Sequence, residues 1–106
     1  MESLDGILET TAGFQWDDSN SDKNWRRHGV SQLECEQIFF NQPLLLASDP
    51  KHSGHEVRFF ALGRTEALRE LAVVFTIRDK RIRVISARPM SRRERREYAR
   101  AKSKEA

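Results

Sequence analysis

The chain has 106 residues, with 19 Lys and Arg against 16 Asp and Glu, for a net charge of +3. Its 38% apolar and 33% charged residues, with 5 Gly and 3 Pro, provide for one domain with a thin core. They exclude whole-chain disorder, a collagen-like repeat and a doubly wound nucleotide-binding fold. No apolar run approaches the roughly 20 residues that span a bilayer. The start is acidic (Glu2, Asp5, Glu9), unlike a secretory leader, and a single cysteine, Cys35, cannot form an internal disulfide. A cytoplasmic location with no membrane contact is predicted.

Residues 1–13 lack period and aromatics and read as a flexible N-terminal extension to a single domain over 14–106. Phe14-Gln15-Trp16 alternates, as a short edge strand does. Asp17, Asp18 and Ser19 offer N-cap oxygens to a helix running to about His28, with Gly29 as its stop. Ser31-Gln32-Leu33-Glu34 is a capping box, and the helix it opens ends before Pro43. His55 to Leu62 alternates, with Val57, Phe59 and Ala61 opposite Glu56, Arg58 and Phe60. Glu70–Arg78 reads as a strand buried on both faces, and Asp79-Lys80 as a two-residue turn without the usual glycine. In Arg81–Arg88, Ile82, Val84 and Ser86 oppose Arg81, Arg83 and Ile85. Ser91-Arg92-Arg93-Glu94 is a second capping box that opens a basic final helix. The order predicts an α+β fold: two N-terminal helices on a three- to four-stranded antiparallel sheet, then a C-terminal helix.

Charge is divided along this order. From Arg78 to Ala106 there are 12 basic and 4 acidic residues, so this stretch carries +8 and residues 1–77 carry −5. Clustered arginine attracts polyphosphate, because guanidinium meets phosphate oxygens bidentately and keeps its charge. A run such as Arg92-Arg93-Glu94-Arg95-Arg96-Glu97 is equally a solvated helix face.

The chemistry available is narrow. There is no Cys-x-x-Cys, no helical His pair, no glycine-rich phosphate loop and no nucleophile elbow, so neither a metal nor a cofactor is expected. Acid–base chemistry on a phosphodiester needs only a proton shuttle and cations over the phosphate. The densest polar cluster is Asp49-Pro50-Lys51-His52-Ser53-Gly54-His55-Glu56-Val57-Arg58. It reads either as a substrate site or as a shaped loop followed by a Glu56–Arg58 ion pair. His28 is a candidate shuttle or a cation at a helix C-terminus. Trp16 and Trp25 read as core anchors. Arg78, Arg83 and Arg88, on strands beside apolar ladders, need anionic partners.

Taken together, Phe14-x-Trp16-Asp17, Asn24-x-x-Arg27-His28-Gly29-Val30, Asp49-x-x-His52-Ser53-x-x-Glu56-x-Arg58, Thr76-x-Arg78, Ile82-Arg83-Val84-Ile85-Ser86-Ala87-Arg88 and Arg92-Arg93-Glu94-Arg95-Arg96-x-Tyr98 resemble the BrnT family of toxins. The resemblance runs from Phe14 to about Tyr98. It departs at Asn20, where family members usually have lysine, and at Gln32 and Cys35, where an aromatic residue and alanine are common.

The resemblance implies a RelE-like fold and a ribonuclease toxin of a type II toxin–antitoxin module that arrests translation. It also implies a BrnA-like ribbon-helix-helix antitoxin that neutralises the toxin, with operator DNA bound only through that antitoxin. A monomeric toxin meeting a dimeric antitoxin predicts a 2:2 heterotetramer. On this reading His28 or Glu56 transfers protons and Arg58, Arg78 and Arg88 stabilise charge. Arg83, Arg92, Arg93, Arg95 and Arg96 then hold the RNA. The alternative is a degenerate toxin that binds antitoxin or nucleic acid without catalysis.

Overall fold

Strand patterning in the second half of the chain builds the sheet of the computed structural model, which describes residues 5–49, 54 and 56–105. Strands β1 (Leu45–Ser48), β2 (Arg58–Arg64), β3 (Glu70–Arg78) and β4 (Arg81–Pro89) pair antiparallel in that spatial order. The β3–β4 hairpin turns on Asp79 and Lys80 at φ 53° and 63°. Both central residues are left-handed, the geometry that matches strand twist, although neither is glycine.

Around the sheet lie helices α1 (Asp5–Glu9), α2 (Lys23–His28), α3 (Gln32–Gln37), a 3₁₀ turn at Ile38–Phe40 and the long α4 (Arg92–Glu105). Gly29 ends α2 at φ 64°, as its freedom from a Cβ permits. Both capping boxes form. Ser31 Oγ accepts from the Glu34 amide at 3.1 Å and Ser91 Oγ from the Glu94 amide at 3.2 Å, while each glutamate reaches back to its serine amide.

Three local expectations changed. Residues 17–22 form turns rather than helix, because Asp17 Oδ1 accepts from the Ser19 amide at 2.9 Å and holds the chain in a tight bend. Phe14 makes only a parallel bridge to Ile82, and the apolar run at Leu45 supplies the edge strand instead. Within 1–13, Asp5–Glu9 is helical and Leu8 packs on the core, a contact that a segment without period does not advertise.

The sheet separates two cores. On one face Phe75 lies 5.1 Å from Phe39 and 5.4 Å from Phe59, ring to ring. Val30, Cys35 and Ile38 close the same face over Ala61, Val73 and Val84. The 3₁₀ turn sits so near β2 that a Cβ on Gly63 would stand 2.9 Å from Ile38 Cβ. On the opposite face α4 covers only one end, where Tyr98 is buried with Leu62, Ala72 and Met90. Tyr98 Oη donates to the Pro43 carbonyl at 2.6 Å, and Lys102 meets Glu70 at 2.8 Å.

The two edges also differ. Residues 13–24 seal the outer side of β4. The Ile82 amide donates to Gly13 O, Asn20 Nδ2 to Val84 O and the Ala87 amide to Asn24 Oδ1, all at 2.9 Å. The sheet ends at β1 on its other side. A bulge in β4 sets the remaining feature: pairing steps from Val74↔Ser86 to Phe75↔Val84 and skips Ile85. The strict alternation read from the sequence therefore slips, and Ser86 joins the face of Arg83 rather than that of Val84.

Candidate functional site

At the end of the open face that α4 leaves bare, a cleft of about 180 Å³ is lined by Asn20, Lys23, Glu56, Arg58, Thr76, Arg78, Arg83 and Ile85, among others. Three layers of the sequence build it. The register aligns Arg58, Thr76 and Arg83 across β2, β3 and β4 on one face. The bulge at Ile85 widens β4 beside them, a distortion that recurs next to active sites. The turn before α2 then brings Lys23 over the sheet edge, where its Nζ lies 3.5 Å from the Ile85 carbonyl.

Arg83 is 8% exposed. Its guanidinium donates to both Asp17 oxygens at 2.9 and 3.0 Å, to Gln15 Oε1 and to Ser19 Oγ. These hydrogen bonds from Arg83, then Ser19, hold the Asp17 carboxyl well below the usual carboxylate range. Arg83 thus anchors the 15–19 loop, and its charge is already answered. Glu56 and Arg78 form a forked pair, with Nε to Oε2 at 2.9 Å and Nη2 to Oε1 at 2.6 Å. Arg78 lowers the Glu56 pKa chiefly through these bonds. Glu56, just ahead of β2, therefore pairs with Arg78 near the end of β3.

Lys23 carries no signal in the sequence, because a lysine in a short helix's first turn belongs to no motif. It has no carboxylate partner among the described residues. Asn20 is 4% exposed and fully occupied as a brace. Its Oδ1 accepts from the Asp17 amide at 2.8 Å, while Nδ2 serves Gln15 O at 3.1 Å as well as Val84 O.

Of the residues marked in the sequence, Glu56, Arg58, Arg78 and Arg83 meet in this cleft. His28 does not: it ends α2, about 7–8 Å along the axis from Lys23, and its carbonyl accepts from Arg69 at 3.3 Å. Arg88 does not either, since both its terminal nitrogens grip Glu94 at 2.7 and 2.9 Å. That pair lowers Glu94 to about 2. Arg92, Arg93, Arg95 and Arg96 are exposed on α4. Trp16 packs against the core and donates to Glu36 at 2.8 Å, whereas Trp25 is 62% exposed and anchors nothing in the core. Cys35 is fully buried, and burial pushes its thiol up to about 12, so it is packing. His52 and His55 lie outside the described residues. Among those described, no cluster of His, Cys, Asp and Glu has the makings of a metal site, and no helix is long and apolar enough to cross a membrane.

A cleft with four cations and one paired carboxylate suits an anionic, phosphate-bearing ligand. A search of curated proteins gives no match. Among solved structures the chain is similar to the crystal structure of the Brucella abortus ribonuclease toxin BrnT, at 26% identity and a TM-score of 0.53. The match covers 77% of this chain and 100% of that one. Residues 16–94 match the family model described as the ribonuclease toxin BrnT of type II toxin–antitoxin systems. The span that matches contains every cleft residue named above, and this chain belongs to the BrnT family of ribonuclease toxins.

Proposed function

We propose that the chain is an endoribonuclease that works without a metal, with the cation-lined cleft as its active site. The observation that carries this is the meeting of Lys23, Arg58, Arg78 and Arg83 around Glu56 on an otherwise open sheet face. A phosphodiester in the cleft would set its equatorial oxygens among Lys23, Arg58 and Arg78, which offset the charge that grows as the 2′-oxygen attacks. Glu56 takes the 2′-hydroxyl proton. The P–O5′ bond then breaks, leaving a cyclic phosphate and a 5′-oxygen that takes a proton from water to become the 5′-hydroxyl. Arg83 holds the loop that carries Asn20 and Lys23. The exposed arginines of α4 hold the RNA backbone further out.

Beyond the cleft, the arrangement of short helices and a four-stranded meander is RelE-like in this reading, and cleavage arrests translation in the cytoplasm. A BrnA-like antitoxin neutralises the toxin in a 2:2 complex and carries the operator contacts. The edge of β1, with no strand beyond it among the described residues, is a place where a partner segment can add to the sheet.

One observation favours a non-catalytic binding module instead: the one carboxylate lining the cleft among the described residues is already gripped by Arg78. Incubating the purified protein with total RNA in EDTA separates the two. The enzyme cleaves, and Lys23→Ala and Arg78→Ala each lower the rate about 100-fold with the fold intact by circular dichroism. Intact RNA with retained affinity supports the module. Cleavage that needs added divalent metal removes the metal-free mechanism.

A further inference from the structure

Next to the cleft, the same open face carries a second hollow of about 180 Å³, walled by Leu45, Leu46, Ala47, Phe60, Leu62 and Glu97. Register places it in line with the cleft. Phe60 follows Arg58 by two residues on β2, so the two side chains share a face about 7 Å apart along the strand. That is comparable to the step between neighbouring nucleotides. The walls are apolar on the β1 and β2 side, with a half-buried aromatic ring, while the α4 side offers one exposed carboxylate. Cations flank the hollow at both ends: Arg58 towards the cleft, and Arg100 and Lys104 in the groove that continues past Leu45 and Glu97.

An apolar slot between cations suits a single-stranded nucleic acid, whose bases want a ring face and whose phosphates want charge. We propose that this hollow is a nucleobase pocket: it takes one unpaired base of the RNA strand, next to the phosphate held in the cleft. Phe60 is its stacking wall and Glu97 its reader. An ionised carboxylate only accepts hydrogen bonds. Glu97 therefore favours adenine, cytosine or guanine, which present amino groups, over uracil, whose edge sets two carbonyl oxygens beside a single N–H. The pocket would give the toxin a base preference one nucleotide from the cut. The inference rests on the reading of the cleft as an RNA-cleaving site, but it concerns binding and is tested through binding.

The probe is a short 2′-O-methyl oligonucleotide, which binds but lacks the free hydroxyl needed for cleavage, with an abasic residue moved through each position. Wild-type protein should lose about ten-fold in affinity at one position, and Phe60→Ala should lose nothing further there. Glu97→Gln, an isosteric change at an exposed site, should keep that loss while erasing discrimination against uracil; it carries the test if Phe60→Ala fails to fold. An equal abasic cost in wild type and Phe60→Ala overturns the pocket, as does an unchanged base preference in Glu97→Gln. Loss of antitoxin binding by Phe60→Ala with full oligonucleotide affinity also overturns it, and makes the hollow a protein-docking surface. Cleavage of RNA by wild type with a flat abasic profile overturns the pocket alone. Absence of cleavage with the position-specific loss intact overturns the catalytic reading and supports the pocket.

Discussion

On one face of the sheet Phe59, Val73, Phe75 and Val84 close against Val30, Cys35 and Ile38; on the other, the same strands present Arg58, Phe60, Thr76 and Arg83 to a cleft and a hollow. Alternation makes this division possible, because successive residues of one strand serve opposite faces. The closed face is held by shape and by apolar area removed from water. The open face is held by forked ion pairs that answer part of its charge, Arg83 with Asp17 and Arg78 with Glu56. Apolar packing and the charged groups proposed for RNA contact therefore reside in side chains that are neighbours in sequence but are separated by the thickness of the sheet.

Substitutions that touch only one face should separate the two properties. The largest effect is expected from Phe75→Ala, which removes the ring between Phe39 and Phe59. About 3–5 kcal/mol of stability should go, measured by urea unfolding, and RNA affinity of the remaining folded protein should be unchanged. A loss of affinity equal to the loss of stability would mean the faces are coupled. Gly63→Ala comes next. Its methyl group would press on Ile38 Cβ and on backbone, and overpacking of this kind costs about 1–3 kcal/mol; a variant as stable as wild type would show that the 3₁₀ turn yields freely.

The smallest effect sharpens the electrostatic side of the comparison. Arg83, Arg78 and Arg88 hold Asp17, Glu56 and Glu94 below their ordinary pKa values, Glu94 at about 2. The folded state thus binds fewer protons than the unfolded one across the acid range. The stabilisation from these pairs is present above the usual carboxylate range and is lost as pH falls towards 2. Urea midpoints should be flat from neutral pH to about 5 and should drop below that. Arg88→Ala should remove the part owed to Glu94, about 0–1 kcal/mol for a pair this exposed. An identical pH profile in wild type and Arg88→Ala would assign the acid sensitivity elsewhere.

Much of the frame was legible in residues alone, since local chemistry decides it. Both capping boxes, the Gly29 stop, the Asp79-Lys80 turn and the β2 and β3 patterns each depend on contacts within a few residues. Clustering Glu56 with Arg58 and marking Arg78 and Arg83 identified most of the cleft's charge. Tertiary structure decided the rest. The short run at Leu45 becomes a strand only because β2 offers it a partner edge. The bulge at Ile85 depends on pairing with β3, and it moves Ser86 across the sheet. Glu56 meets Arg78 because the antiparallel pairing of β2 and β3 brings residues 22 positions apart within 2.6 Å. Lys23 enters the cleft, and His28 and Arg88 stay out, according to where α2 ends and where Glu94 sits. The sequence by itself determined which elements form and which carry charge, because propensity, capping and alternation act locally. Which charges face one another was left to the packing, because that depends on register across strands and on a loop laid along an edge.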